Sequence, residues 1–394
     1  MLTQPDVVRP ARNTRPANRR ELIVAAAADL FYRNGYTDVA MSDVADAVAI
    51  GPSALYRHFR GKQSLLATVV REALVKVDDA ILTAAADAES VDVATSLAAV
   101  VIEHRGVGVL WRREARHLSA DDRTAFRSEA RNIGAHLAEI IARRRPELDA
   151  AQADLLSWCA LAVANSVSFH SLSLPEPDFT ALVSQLISSV LDAAAPDLGE
   201  SVARPRDVVA LTTTSRREAI LVAATELFAR QGFAGVSMDD IGGAVGIAGP
   251  SVYNHFDAKS DILAAAMFRG DEWLRMAMTE AFAQASDPAD GLERLLRSYS
   301  RFVFDNPHLV QNLVSETGHL PDVERQRAVA AQLSYITEWV QLLRRVHPGY
   351  DPIRARIRVQ AAQTMLNDVA LVKHLRKHSA IESASAGIAL ELLT

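Results

Sequence analysis

The chain has 394 residues, 49% of them hydrophobic, which is enough for more than one hydrophobic core. Its formal net charge of −6 excludes a uniformly basic nucleic-acid-binding protein, but not a basic module on an acidic body. The single cysteine, Cys159, excludes an internal disulfide. Because no apolar leader and no membrane-length apolar run is present, we expect a cytoplasmic protein without membrane contact.

Residues 1–18 are rich in proline and carry three spaced arginines, Arg9, Arg12 and Arg15. This composition predicts a flexible basic arm. Spaced arginines ahead of a DNA-binding domain can enter the minor groove. A solvated tail without a DNA contact is an equally good interpretation, and both stay open.

A long internal repeat follows the arm. Residues 19–65 align without a gap on residues 216–262, and the two copies are identical at 20 of the 47 positions. A match of this length indicates a duplication, so the chain should contain the same module twice.

Each copy predicts three helices. The first is amphipathic and ends at a glycine, Gly35 or Gly232. A short second helix covers 44–48 or 241–245, and a Gly-Pro break separates it from the third. Leu55 and Phe59 of the third helix, four residues apart, should pack on the other two helices. This order predicts a helix-turn-helix, whose last helix enters the major groove of DNA.

The outer face of the third helix is polar in both copies. Arginine and asparagine can read bases, and tyrosine, histidine, serine and lysine can contact phosphates. The predicted DNA-binding residues are Ser42, Ser53, Ala54, Tyr56, Arg57, His58 and Lys62 in the first copy, and Ser237, Ser251, Tyr253, Asn254, His255 and Lys259 in the second. A purely structural role for the tyrosines and histidines does not explain why they occur twice.

The two copies differ in charge. Nine basic and six acidic residues give residues 1–63 a net charge of +3, whereas four basic and six acidic residues give residues 212–262 a net charge of −2. We therefore expect the first copy to dominate the affinity for phosphates. The second copy would bind weakly or mainly shape the first.

Helical patterns cover nearly all of the remaining sequence, so the predicted fold class is all-α with two repeated halves. In each half a three-helix DNA-binding domain precedes a helical-bundle domain for ligand binding or dimerisation. The predicted domains are the arm 1–18, helix-turn-helix domains 19–65 and 216–262, helical domains 66–195 and 263–394, and a linker 196–215. Within the helical domains we expect, among others, helices over 108–118, 150–171 and 352–377.

A weak repeat at a spacing of 202 residues continues into the helical domains. Glu114 and His117 parallel Glu316 and His319, and Asn165 parallels Asn367. The candidate ligand-binding residues are Trp111, Glu114, His117, Trp158, Asn165, Phe169, Glu316, His319, Trp339 and Asn367. A Glu–His hydrogen bond that joins two helices, with the tryptophans in the core, is the favoured alternative; a metal site is the least favoured.

Both helix-turn-helix copies resemble the N-terminal domain of TetR-family transcriptional regulators. The family's motif runs from an apolar helix with Phe and Gly through Leu-Tyr-x-His-Phe to Lys. It appears here as Phe31, Gly35, 55–59 and Lys62, and again as Phe228, Gly232, 252–256 and Lys259. Three positions depart from the family's pattern. Ala40 replaces the usual Ser or Thr cap of the second helix, and Gly51 and Ala248 replace the usual Ser or Thr at the turn.

The resemblance implies a regulator that binds DNA through two heads. In the family, the last two helices of each subunit form a four-helix dimer interface, which here would join 150–194 to 352–393 within one chain. The two recognition helices would then lie about 34–36 Å apart on an operator. Because Arg57 differs from Asn254, we expect an imperfect palindrome. A homodimer formed through like halves stays open.

The resemblance and the low charge of the helical domains also imply a small, largely apolar effector that releases a repressor from DNA. One alternative is a ligand-binding or sequestering protein whose second head does not bind DNA. Another, the least favoured, is a helical metal-dependent enzyme. No catalytic motif of a hydrolase, metalloprotease or nucleotide-binding enzyme is present, so we expect neither enzymatic activity nor a cofactor.

Overall fold

A computed structural model gives the fold and describes residues 18–86, 92–200 and 215–394. All regular elements in these ranges are helical, which confirms the predicted all-α class. No helix in these ranges combines the length and apolar character needed to cross a bilayer. The predicted basic arm, apart from residue 18, and most of the predicted linker lie outside the described residues.

The first half of the sequence begins with the three helices of the first head and continues with helices of varied length. Its helices are α1 (Arg19–Asn34), α2 (Met41–Ala47), α3 (Pro52–His58), α4 (Lys62–Ala86), α5 (Val93–Glu103), α6 (Val107–Val109), α7 (Ala120–Arg144), α8 (Ala150–Ser166) and α9 (Asp178–Asp192).

The second half repeats this order. Its helices are α10 (Arg216–Gln231), α11 (Met238–Ala244), α12 (Gly249–Val252), α13 (Lys259–Gln284), α14 (Pro288–Asp305), α15 (Pro307–Ser315), α16 (Asp322–Val346), α17 (Pro352–Val369) and α18 (Ile381–Glu391).

The chain divides into two compact units that do not coincide with the two sequence repeats. The first contains residues 1–140 and 164–171, and the second contains 141–163 and 172–394. The second unit therefore includes α9 and most of α8 from the first half of the sequence. The domain boundaries proposed from the sequence stay a prediction.

The predicted continuous helix over 108–118 is wrong in detail. After α6 the backbone forms a π-helical turn at Leu110–Glu114 and a 3₁₀ turn at Ala115–His117. Gly108 is tightly packed here, since a Cβ at this position would lie 1.8 Å from Oδ1 of Asn165. The predicted helices 150–171 and 352–377 also end early, at Ser166 and Val369.

Each head has its own hydrophobic core. In the first head, Ile23, Phe31, Leu55 and Phe59 are buried together with the start of α4. The residues at the same positions of the second head, Ile220, Phe228, Val252 and Phe256, are buried in the same way with the start of α13. Burial of Leu55 and Val252 turns the neighbouring residues of the third helix outwards, which is the arrangement that the periodicity predicts.

Backbone geometry repeats between the heads at the glycine that follows the first helix. Gly35 has φ 84° and ψ 152°, and Gly232 has φ 76° and ψ 153°. Residues other than glycine rarely adopt this combination of φ and ψ. The motif glycine is thus a conformational requirement in both heads.

Helices from both halves of the sequence pack together inside the second unit. Helix α9 contacts α17 and α18. Nε2 of His374 lies 2.8 Å from Oδ2 of Asp154 in α8, and Nη2 of Arg354 donates to Oδ2 of Asp178 over 2.8 Å. The four helices belong to the segments 150–194 and 352–393 that the family resemblance pairs.

The chain segment that leaves α9 also binds to the second half. The backbone N–H of Ala380 donates to the carbonyl of Leu198 over 3.0 Å, and that of Ser379 donates to the carbonyl of Glu200 over 3.3 Å. Leu198 is buried. Residues 198–200 are thus fixed against the start of α18.

The geometry of Gly232 leads to a stability prediction. Gly232→Ala should lower the free energy of unfolding by about 1–3 kcal/mol, because alanine is strained at this φ and ψ. The matched control is Gly243→Ala in α11, where a Cβ would meet no atom within 4 Å. Since alanine is the better helix former, the control should be neutral or stabilising. Urea unfolding followed by circular dichroism measures both, and equal effects would contradict the prediction.

Candidate nucleic-acid interface

The recognition segment of the first head is a regular short helix. Gly51 precedes α3 in an extended conformation, and Pro52 occupies the first helical position, where its missing N–H costs no hydrogen bond. The Tyr56 side chain is 55% exposed, and Arg57 and His58 are exposed beside it. A compact group with an aromatic ring, a guanidinium and an imidazole therefore faces solvent.

The recognition segment of the second head is less regular. Helix α12 ends at Val252, and the N–H groups of Asn254 and His255 donate to carbonyls only three residues earlier. Tyr253 is 53% exposed, and Asn254 and His255 are also exposed. The predicted outward residues thus share one surface in this head too, although on a shorter helix than predicted.

The second helix of each head begins differently. Ser237 and Asp240 form a complete capping box: the Asp240 N–H donates to Oγ of Ser237 over 3.1 Å, and the Ser237 N–H donates to Oδ2 of Asp240 over 2.8 Å. The Ser237 hydroxyl, which donates to Oδ2 of Asp240 over 2.6 Å, lowers the pKa of Asp240, and the Ser237 N–H lowers it further. Ala40 of the first head keeps only the bond from its own N–H to Asp43. Ser42 is exposed one residue into α2.

Three further predicted contacts lie at the start of the recognition segments. Ser53 is exposed, and Ala54 and Ser251 are half-buried. Most side chains that the sequence predicts for DNA contact are therefore at least half-exposed in their heads, whereas the ammonium groups of the two lysines have acceptors inside the head.

Lys62 and Lys259 close the loop between the first and second helices. Nζ of Lys62 donates to the carbonyls of Tyr36 and Val39 over 2.6 and 2.7 Å. Nζ of Lys259 donates to the carbonyls of Phe233 and Val236 over 2.6 Å each. Desolvation lowers the pKa of Lys259. Both ammonium groups thus hold their own head together, and a phosphate contact would share an ammonium that already has these acceptors.

The Glu–His pair of the first half lies against its head. Glu114 is buried, its carboxylate accepts from Nε of Arg113 over 2.5 Å, and Nε2 of His117 lies 3.5 Å away. The His117 ring stacks on Tyr36 with 4.6 Å between centroids. Nζ of Lys62 lies 4.4 Å from the centroid of the Tyr36 ring. Burial, followed by the charge of Glu114, raises the pKa of Tyr36.

The second half repeats this contact of a Glu–His pair with its head, which we call the Glu–His joint. Oε2 of Glu316 accepts from the N–H of Phe233 over 3.1 Å and lies 3.5 Å from Nε2 of His319. The His319 ring stacks on Phe233 at 5.1 Å, and Nζ of Lys259 lies 4.3 Å from the same ring. In both halves the Glu and the His of the pair are three residues apart in one segment, so the 3.5 Å contact between them does not itself join two helices. Tyr36 and Phe233 are not among the predicted site residues; their signal in the sequence is an aromatic residue directly after the motif glycine.

The other candidate ligand residues fall into separate groups. In the first unit, Trp111 packs edge-on against Phe126, while Asn165 lies against Gly108 and Phe169 lies under Arg112. In the second unit, Trp158 donates to Asp154, and Trp339 packs edge-on against Tyr299, whose hydroxyl donates to Oδ1 of Asn367 over 2.9 Å. Within the described ranges, no three His, Cys, Asp or Glu side chains cluster as metal ligands would.

Comparison with known proteins matches both heads to one family. The family model described as bacterial regulatory proteins, tetR family, matches residues 23–69 and 220–266. The chain is 26% identical over 128 residues to the HTH-type transcriptional activator FasR of Mycolicibacterium smegmatis, a match that covers 32% of this chain and 56% of FasR. It is 34% identical over 85 residues to the HTH-type transcriptional regulator LmrA of Bacillus subtilis, covering 21% of this chain and 45% of LmrA.

Among solved structures, the chain is similar to the TetR-family transcriptional regulator PfmR of Thermus thermophilus, with 24% identity and a TM-score of 0.40 over 46% of this chain and 97% of PfmR. The matches to FasR and LmrA each span about half of that relative's length. Two matches to the family model, one in each repeat, fall on the heads described above. The chain thus carries the DNA-binding domain of the tetR family twice, at residues 23–69 and 220–266.

Proposed function

We propose that this protein is a sequence-specific transcriptional repressor whose two heads read the two halves of an imperfect palindrome. The observation that carries the proposal is the duplicated recognition surface, with an exposed tyrosine, a base-reading side chain and an exposed histidine in each head. A purely structural role does not explain why these side chains are exposed to solvent in both heads.

Residues on these surfaces have distinct proposed roles. Arg57 reads guanine and Asn254 reads adenine, because each can form a bidentate hydrogen bond with that base. The tyrosines, histidines and serines, together with both lysines, contact phosphates and fix the position of the helix. The proposed DNA contacts are Ser42, Ser53, Ala54, Tyr56, Arg57, His58, Lys62, Ser237, Ser251, Tyr253, Asn254, His255 and Lys259.

A single chain is proposed to act as an intrachain pseudo-dimer. The packing of α9 on α17 and α18 supports this, because these helices come from opposite halves of one chain. The hydrogen bonds of residues 198–200 to the start of α18 support it further. One chain would then present both heads to one operator, with about 34–36 Å between recognition helices.

Effector control is proposed for the helical bundles. Within the second unit, Gln363 and Asn367 lie one helical turn apart on α17, and both are buried. Nε2 of Gln363 has no hydrogen-bond partner among the described residues. The Tyr299 hydroxyl donates to Oδ1 of Asn367, and the Trp339 ring packs edge-on against Tyr299. Aromatic rings near an unsatisfied amide would suit a small, largely apolar molecule that has one polar group.

The effector would act through the Glu–His joints, because these join the bundle elements to the heads in both halves. A ligand shifts DNA binding only if it binds the released state more tightly than the DNA-bound state. The candidates for direct or indirect effector response are Trp111, Glu114, His117, Trp158, Asn165, Phe169, Glu316, His319, Trp339 and Asn367.

The main alternative is a ligand-binding or sequestering protein whose second head does not contact DNA. The negative charge of that head favours this alternative over an enzyme. Genome-wide mapping of occupied sites, followed by mass determination of one complex, tests the choice. We expect an imperfect palindrome that holds a single chain. A folded protein without any specific site would support sequestration, and two chains per site would contradict the pseudo-dimer.

The heads should contribute unequally to affinity. Tyr56→Ala and Arg57→Ala should weaken binding to a mapped site by about tenfold or more, since each removes a contact of about 1–3 kcal/mol. The matched variants Tyr253→Ala and Asn254→Ala should cost less, because the second head is acidic. Fluorescence anisotropy titration at one fixed salt concentration measures all four. Equal losses in the two heads would contradict this order.

The response to the effector should depend on the second bundle. Asn367→Leu should leave the affinity for a mapped site unchanged but weaken release by fractions of a lipid extract, because it removes a polar group next to the apolar wall. Asn312→Leu is the control, since its amide donates to the carbonyl of Thr225 in the head and serves folding. If Asn367→Leu unfolds the protein, or if release is unaffected, the proposed ligand contact is wrong.

A further inference from the structure

The six acidic residues of the second head differ in whether their carboxylates have a hydrogen-bond or ion-pair partner within the protein. Four of the six have partners. Glu218 accepts from Arg269 over 2.6 Å and Glu226 pairs with Arg230 at 2.5 Å. Asp240 belongs to the capping box, and Asp261 accepts from the N–H of Ala258 over 2.9 Å. These carboxylates stabilise the fold.

The remaining two, Asp239 and Asp257, are exposed, and neither has an ion-pair partner among the described residues. Both flank the recognition segment. Asp239 lies one residue into α11, and Asp257 directly follows the buried Phe256 that ends the segment. Their negative charge is therefore presented on the surface that would meet the phosphates.

Asp239 lies close to the first residue of α12. A Cβ on Gly249 would lie 1.7 Å from Oδ1 of Asp239 and 2.9 Å from its Cα. The first residue of α12 must therefore be glycine as long as Asp239 keeps this position. Gly242 makes a similarly close approach, since its Cβ would lie 3.0 Å from Cα of Gly249. Asp239 is thus next to the base of the recognition segment, where α11 closely approaches α12.

The first head has the opposite electrostatics at the same positions. Ser42 stands where the second head has Asp239, and Arg60 stands where it has Asp257. Both are exposed, and Arg60 has no ion-pair partner among the described residues. A third exchange places Arg57 where the second head has Asn254. The three exchanges make the recognition surface of the first head more positive than that of the second, although both heads have the same fold.

We infer that Asp239 and Asp257 are specificity determinants of the second head, whose carboxylates suppress its attraction to phosphates on any sequence. Non-specific affinity comes almost entirely from phosphate neutralisation, whereas base contacts add affinity only at the matching site. A head with this surface engages DNA after the first head is seated, and only where its half-site offers base contacts. This inference rests on the proposed function, because it requires that the second head faces DNA.

The test exchanges the determinants between the heads of the full chain. Asp239→Ser with Asp257→Arg gives the second head the residues of the first, and Ser42→Asp with Arg60→Asp does the reverse. The probes are a mixed-sequence duplex without a site and a duplex that carries a mapped site. Binding of both is measured by anisotropy over a series of KCl concentrations, after circular dichroism has verified the helical content of each variant.

The second-head exchange should tighten binding to the mixed-sequence duplex by about tenfold and steepen its salt slope by about 0.9, because the new arginine neutralises one more phosphate. The ratio of specific to non-specific affinity should fall. Asp257→Arg alone should have most of the effect, which protects the test against a folding defect caused by the loss of Asp239. The control is Asp192→Arg at the exposed end of α9, which makes the same charge change outside the heads.

Three results separate failure of this inference from failure of the proposed function. If Asp192→Arg matches Asp257→Arg, net charge explains the effect and the inference is wrong. If only the first-head variant changes the salt slope, the second head does not meet phosphates, and the inference is wrong while the first head still binds DNA. If the unmodified chain binds neither duplex at low salt, the proposed function itself fails.

Discussion

The orientation of each head depends on a buried carboxylate at its junction with the following helices. Glu316 accepts the N–H of Phe233, and Glu114 occupies the same position in the first half. In both halves a histidine stacks on the aromatic residue after the motif glycine, and a lysine ammonium approaches the same ring. A buried charge that lost these partners would be costly, so the loop after the first helix cannot shift without disturbing the joint.

Much of this architecture could be predicted because it follows from local rules. The gap-free repeat and the helical spacing of Leu55 and Phe59 predict three helices and an outward tyrosine in each head, and the structure has both. The π-helical turn at Leu110–Glu114 could not be predicted from local spacing, and the residues before it pack on a residue far away in sequence, as Gly108 does on Asn165. In α12, likewise, the first residue packs closely on Asp239 of α11, a contact that local spacing does not predict.

The candidate site was predictable on the recognition surface but not in the helical bundles. Residues next to a buried apolar position on a short helix must face outwards, so sequence alone indicates that Tyr56 is exposed. A Glu and a His three residues apart share a face whatever that face meets. Only the structure reveals that Glu114 and Glu316 meet their heads, and that Asn367 instead meets Tyr299. Spacing gives the direction of a side chain but not its partner.

The packing of α9 on α17 and α18 has a consequence for mass action. In an assembly of two separate subunits, dilution dissociates the interface, and the amount of competent protein falls with the square of the subunit concentration. Here the contacting helices belong to one polypeptide, so dilution does not separate them. The fraction of chains with this interface formed is therefore the same in a cell that holds a few copies as in a concentrated solution.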